Sequence, residues 1–227
     1  VRQFGTFQAR ETVYKNVLSP AFAIIVDSER LAENMVMRYG IDRQRVLPMP
    51  YSPSPFINKS ESKSKVIVSN IYSLENEYFF YPAQFWAHKN HIRIVQALKI
   101  LKDNHIECKV VFVGGDKGNM EYVEGRIKEY GLENQVRLLG FIPPEHMKGL
   151  YQNCRAVVMP TYFGPTNLPP LEAWSLGKPL IYSNLHEDQI MSDVASGTLR
   201  PVPVQLKGVP HEDVMKIIKE CIQMKPK

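Results

Sequence analysis

The sequence predicts an α/β protein built on a Rossmann-like, doubly wound parallel sheet, and three observations carry that prediction. Between Phe79 and Ser183, short apolar runs alternate with longer amphipathic stretches. The apolar runs are near-continuous rather than strictly alternating, as strands covered on both faces require. The intervals between them are long enough for one crossover helix each, which is how parallel neighbours are joined.

The candidate strands are Phe79 to Ala83, Lys109 to Val113, Val136 to Gly140, Ala156 to Pro160 and Pro179 to Ser183. The first crossover, His91 to Lys102, places Ile94, Val95, Leu98 and Leu101 at spacings of three and four, the signature of one apolar helix face. Tyr122 to Tyr130, Pro144 to Gln152 and Leu168 to Leu176 fill the later crossovers. Upstream, Phe22 to Val26 reads as a strand, Ser28 to Tyr39 as a helix stopped by Gly40, and Val46 to Pro48 as a second short strand. Two strands and a helix or two do not close a core. Pro48, Pro50, Pro53 and Pro55, followed by the polar stretch Asn58 to Lys65, read as a linker without regular structure. The expected division is therefore a remnant of an N-terminal domain over residues 1–52, a linker over 53–66 and a C-terminal domain over 67–227. Pro210 to Met224 is expected to form an amphipathic terminal helix.

Composition narrows the function. A chain of 227 residues that is 44% hydrophobic can bury one core and part of a second. It contains no apolar run of ~18 residues, and VRQFGTFQARE lacks the apolar centre of a secretory leader. Cys108, Cys154 and Cys221 lie far apart with no CxxC spacing, which argues against a disulfide framework or a zinc site and points to a reducing, cytoplasmic setting. The net charge of +5 is modest and scattered, which argues against nucleic acid, while a mildly basic surface suits phosphates or bilayer headgroups.

Ligands of open parallel sheets bind where strands end and helices begin. Three such loops stand out. The segment Met159 to Gly177 leaves one strand and enters a helix, with Asn167 as N-cap and Pro169 and Pro170 in the first turn. The amides of Asn167 and Leu168 are then the donors at the positive end of that helix, a setting suited to a diphosphate. Glu172, one turn in, could accept hydrogen bonds from the two hydroxyls of a ribose, or could simply complement the helix dipole. The loop Gln84 to His91 offers Lys89 for phosphate charge, with a solvated surface lysine as the plain alternative. Gly114 and Gly115 permit close backbone approach to a ligand, although a tight turn needs them anyway. The backbone at Phe141 and Ile142 is a candidate to face a nucleobase.

Together, FFYPAQFWAHKNHIRIVQAL, VVFVGG, VRLLGFIPPEHMKGLYQNCRAVVMPT and FGPTNLPPLEAWSLGKPLIYS resemble the C-terminal domain of glycosyltransferase family 4, retaining enzymes of the GT-B fold that use nucleotide-activated sugars. AIIVDSERLAENMVMRYGIDRQRVLPMPYSP resembles the close of that family's N-terminal domain. The resemblance implies a donor site here and an acceptor site mostly in the other domain. It places Lys89 at the phosphate-clamping lysine, Glu172 at the second glutamate of a paired motif, and Asn167 and Leu168 at the diphosphate amides. Gln84 stands where the family has an arginine, and Gly164 where it has the first glutamate. Gly164, Thr166 and Asn167 are the residues expected near the donor sugar, and Thr161 is expected in the nucleotide-sugar site as well. The expected activity is hexose transfer from a nucleotide-diphosphate sugar to a glycan or lipid-linked acceptor in bacterial surface polysaccharide assembly, with peripheral membrane contact and with no metal or cofactor. A noncatalytic binding or assembly module is the second expectation. A phospho-receiver is a poor third, since Asp116 is the only candidate aspartate.

Overall fold

The computed structural model describes residues 7–58, 64–74, 78–162 and 167–183. The expected terminal helix and Cys221 lie outside the described residues.

The N-terminal segment comprises helix α1 (Phe7–Leu18), strand β1 (Ile24–Val26), helix α2 (Glu29–Tyr39) and strand β2 (Val46–Pro48). Ser28 starts α2 by accepting the Leu31 amide through its hydroxyl, and Gly40 ends it in the left-handed conformation at φ 63°. β1 and β2 pair in parallel. Ile24, Val26, Ala32, Ile41 and Val46 form a small core between this pair and α2.

The stretch read as an unstructured linker departs from expectation, because it contains helix α3 (Pro55–Asn58) and the start of helix α4 (Ser64–Tyr72). The β-branched run of α4 and its polar approach disfavour a helix locally. Packing overrides that preference, for Ile57, Val68 and Leu74 are buried in the core beneath the main sheet. Tyr72 shares a hydrogen bond with His146 Nδ1 at 2.7 Å, and Asn153 Nδ2 donates to Ser69 Oγ at 2.9 Å.

The main domain is a parallel sheet of β3 (Phe79–Pro82), β4 (Val110–Val113), β5 (Val136–Leu138), β6 (Ala156–Met159) and β7 (Leu180–Tyr182), ordered β5-β4-β3-β6-β7. Helices α5 (His91–Asp103), α6 (Met120–Glu129), α7 (Pro144–Asn153) and α8 (Leu168–Ser175) fill the crossovers. Side chains alternate between two cores. Phe79, Tyr81, Val110, Phe112, Ala156 and Val158 pack on the side of α5 and α6. Phe80, Val111, Val113 and Val157 pack on the opposite side with residues of α7 and α8. Two-sided burial is the physical reason these strands read as continuous apolar runs. The chain winds outward from β3 in one direction and then, beyond β5, returns to build outward from β6 in the other. The order thus reverses between β3 and β6, and the loops leaving those two strands open onto one crevice.

Candidate functional site at the sheet reversal

The loop after β3 runs from Ala83 to Asn90 and is locked on both sides. Toward β4, the Phe85 amide donates to Gly115 O at 3.0 Å, and Gly114 approaches so closely that a Cβ there would lie 2.3 Å from Ala83 O. The close approach that the glycine pair permits is therefore to the chain's own backbone at Gly114, whereas a Cβ at Gly115 would meet open space. Toward β6, Asn90 Nδ2 donates to Pro160 O at 2.9 Å, and Thr161 Oγ1 and the Tyr162 amide both donate to His88 O.

This framework carries Lys89. Tyr81 OH donates to the Lys89 carbonyl at 2.7 Å, and the Lys89 ammonium donates to Asn167 Oδ1 at 2.9 Å. The lysine is half-buried, and burial lowers its pKa from the usual range. Its hydrogen-bond partner is a neutral amide, and no carboxylate pairs with it among the described residues. Asn167 occupies the N-cap position of α8 as predicted, yet its side chain makes no cap bond. It turns instead to Lys89 and to Tyr182, whose phenol oxygen accepts from Asn167 Nδ2 at 2.7 Å. Lys89 and the opening of α8, 78 residues apart in sequence, thus meet at the reversal point.

Glu172 lies one turn into α8 and is 7% exposed. Its Oε2 accepts from Tyr151 OH at 2.7 Å, and Tyr151 is fully buried on α7. Burial, with the Glu172 charge adding to it, raises the Tyr151 pKa well above the ordinary value, so the phenol is a permanent donor. Tyr151→Phe would leave a buried carboxylate oxygen without this donor and is expected to destabilise the fold by about 1–3 kcal/mol. Urea unfolding of the two proteins checks this, and equal midpoints would refute it.

The remaining expected residues are dispersed around this centre. Gln84 is exposed and its Oε1 accepts from Trp86 Nε1 at 2.9 Å. Phe141 is 84% exposed, while the Ile142 side chain is buried in the core, which leaves only its backbone to face a ligand. Thr161 is buried and Leu168 is 40% exposed at the mouth of α8. Gly164 and Thr166 lie outside the described residues. Asp116 lies between β4 and α6. Its Oδ1 accepts the amides of Gly118, Asn119 and Met120 at the start of α6, and those bonds lower its pKa. Sequence reading missed Tyr81, Tyr151 and Tyr182, which look like ordinary strand and helix aromatics until the sheet order places their hydroxyls.

Known proteins resemble this chain in sequence and in fold. The family model for glycosyl transferases group 1 matches residues 64–191, more than half of the chain. O-antigen chain mannosyltransferase B of Escherichia coli is 27% identical over 170 residues, covering 74% of this chain and 45% of that protein. O-antigen chain mannosyltransferase RfbU of Salmonella typhimurium is 21% identical over 164 residues, covering 71% of this chain and 42% of that protein. The chain thus spans about half the length of these relatives. In fold it is similar to Anabaena Alr3699/HepE, solved in complex with UDP and glucose, with a TM-score of 0.71, 17% identity, and coverage of 96% of this chain and 58% of that one. It is also similar to WaaG, a glycosyltransferase involved in lipopolysaccharide biosynthesis, with a TM-score of 0.66, 15% identity, and coverage of 99% of this chain and 62% of that one. With the family model matching residues 64–191, the stretch that carries β3 to β7, the chain belongs to the group 1 glycosyl transferases.

Proposed function

We propose that this chain supplies the donor site of an enzyme that transfers a hexose from a nucleotide-diphosphate sugar to a glycan or lipid-linked acceptor, with retention at the anomeric carbon. The observation that carries the reading is the half-buried ammonium of Lys89, which among the described residues meets a neutral amide oxygen at the mouth of α8 and no carboxylate. A desolvated cation beside a helix N-terminus favours an anion of two or more charges, and a diphosphate has the size and charge to meet both. The backbone at Asn167 and Leu168 would add donors. Glu172, with Oε2 held by Tyr151, would offer Oε1 to the ribose hydroxyls.

In this reading the residues do electrostatic work. Charge builds on the departing diphosphate as the glycosidic bond breaks, and a fixed ammonium near that oxygen lowers the barrier without reorganising at that moment. The leaving phosphate itself assists the incoming hydroxyl, and we assign no metal or cofactor to the step. Gln84, in place of a cation, leaves Lys89 and α8 with more of the charge to balance. Gly114, Gly115, Phe141, Ile142, Thr161, Gly164 and Thr166 complete the proposed donor surroundings through backbone or small polar groups. Mannose is the sugar named for both O-antigen relatives, which supports a hexose and a role in bacterial surface polysaccharide assembly. No described helix is long and apolar enough to cross a membrane. Peripheral contact at the inner face of the membrane, from the cytoplasm, is part of the proposal.

Calorimetry with UDP, GDP and their sugars tests it. Lys89→Met is expected to weaken nucleotide diphosphate binding by at least about ten-fold, the worth of one charge-assisted hydrogen bond. Because the lysine must be protonated to bind and its pKa lies below the usual lysine range, affinity is expected to fall as pH rises through that lowered value. We expect this chain alone to transfer no sugar. Absence of binding to every nucleotide would instead favour a noncatalytic module, to which the changed positions Gln84 and Gly164 would be suited.

A further inference from the structure

We infer that Tyr182 is a positioning residue, which holds the Asn167 side chain in the one orientation that fixes the Lys89 ammonium at the mouth of α8. This deepens the donor-site reading and rests on it for the diphosphate, though not for the hydrogen-bond chain itself. The polarity of that chain follows from donor and acceptor chemistry. An ammonium has only donors, so the Asn167 atom facing Lys89 must be Oδ1. The amide nitrogen then points the other way, where it needs an acceptor, and Tyr182 Oη sits 2.7 Å from it. If the amide turned over, its NH2 would face the ammonium, donor against donor.

Three further observations make the contact directional. Asn167 is 5% exposed, so water offers the amide little alternative to these partners. The same side chain makes no cap bond to α8, although the N-cap position would favour one. Tyr81 fixes the other end of the lysine by donating to its carbonyl at 2.7 Å. Tyr81 stands on β3 and Tyr182 on β7, the two strands on either side of β6 in the sheet. Lys89 is consequently gripped at its backbone from one side of the reversal and at its ammonium from the other. Burying an orienting amide beside a cation serves to preset the charge before the ligand arrives, which cuts the ordering cost of binding.

The test compares the full 227-residue chain with its Tyr182→Phe and Asn167→Asp variants. The Lys89 side chain is titrated by NMR with 13C-labelled lysine in the absence of ligand, and UDP and GDP binding is then measured by calorimetry. Tyr182→Phe removes a single oxygen. It is expected to move the Lys89 titration to lower pH, because the ammonium loses a well-oriented acceptor, and to weaken diphosphate binding about 3- to 10-fold. Asn167→Asp keeps an acceptor and adds a charge, so it is expected to move the titration upward while repelling the diphosphate. An unchanged Lys89 titration in Tyr182→Phe overturns the inference, whatever the nucleotide result. Should Tyr182→Phe fail to fold, an unchanged titration in Asn167→Asp overturns it instead. Titrations that shift as expected in a chain that binds no nucleotide uphold the hydrogen-bond chain and sink the donor-site reading alone.

Discussion

Replacing Gly114 with alanine is expected to lower the unfolding free energy by about 3 kcal/mol or more, among the largest effects a single methyl group can have. Two causes act together. The residue sits at φ 150°, a region that side chains rarely adopt, and the added Cβ would lie 2.3 Å from Ala83 O, 2.6 Å from Ala83 C and 2.7 Å from the Gln84 amide nitrogen. All three are backbone atoms, so no rotamer change relieves the clash. Either the β3 loop moves away, or β4 shifts and disturbs its pairing. For a chain of this length the melting temperature would fall by about 6–12 °C. Gly115→Ala, whose Cβ meets nothing within 4 Å, is the matched control. Similar melting curves for the two variants would show that the crowding at Gly114 is not rigid.

Acid should unfold the protein through His91. The ring is fully buried and stacked on Phe85 at 4.2 Å between centroids, with Tyr81 at 4.6 Å. Its Nε2 lies 3.2 Å from Ala83 O, and a carbonyl can only accept, so Nε2 carries the hydrogen. Nδ1 is left buried with no hydrogen-bond partner among the described residues. Protonation would put a charge on that enclosed nitrogen, and burial, reinforced by the nearby Lys89 charge, drives the pKa down to about 3 although the Ala83 bond opposes this. The unfolded chain takes the proton at the ordinary value of 6.5. The histidine's contribution is thus fully present above pH 6.5 and is lost progressively as pH falls toward 3. The expected slope is about 1.4 kcal/mol per pH unit, on the order of 4 kcal/mol over the window. His91→Phe keeps the stacking and removes the titration. Its unfolding free energy should therefore fall less steeply over the same range, and parallel pH profiles for the two proteins would contradict the assignment.

Both sites brace the segment that carries Lys89. Gly114 crowds against Ala83 and Gln84 at the start of the β3 loop, and His91 bonds the same Ala83 carbonyl from the first residue of α5. Rigidity at the base of the loop is what allows a flexible lysine side chain to act as a fixed charge.

Much of this was legible in the residues. The five strands and four crossover helices of the main domain follow from apolar periodicity, because two-sided burial imposes an unbroken apolar run on each strand and a three-four spacing on each helix. Ser28 and Gly40 mark the ends of α2 for equally local reasons, a hydroxyl that caps and a residue free to turn left-handed. Lys89, Asn167 and Glu172 could be singled out, since strand-to-helix loops are where such sheets place polar groups. What the sequence determined by itself is therefore whatever depends on neighbours three or four positions away.

The tertiary structure decided the rest. The rank of α4 as a helix depends on Val68 reaching a core built from residues far along the chain. Asn167 reads as a helix cap, but Lys89 from the loop after β3 and Tyr182 from β7 take its side chain in place of the local amide. Tyr151 and Tyr182 carry no local mark that separates a hydroxyl aimed at a carboxylate or an amide from one aimed at water. Gly114 is demanded by a backbone 31 residues earlier, brought close by the parallel pairing of β3 with β4. Such contacts are set by strand order, which no periodicity encodes, because the order is chosen by how all the apolar faces are buried at once.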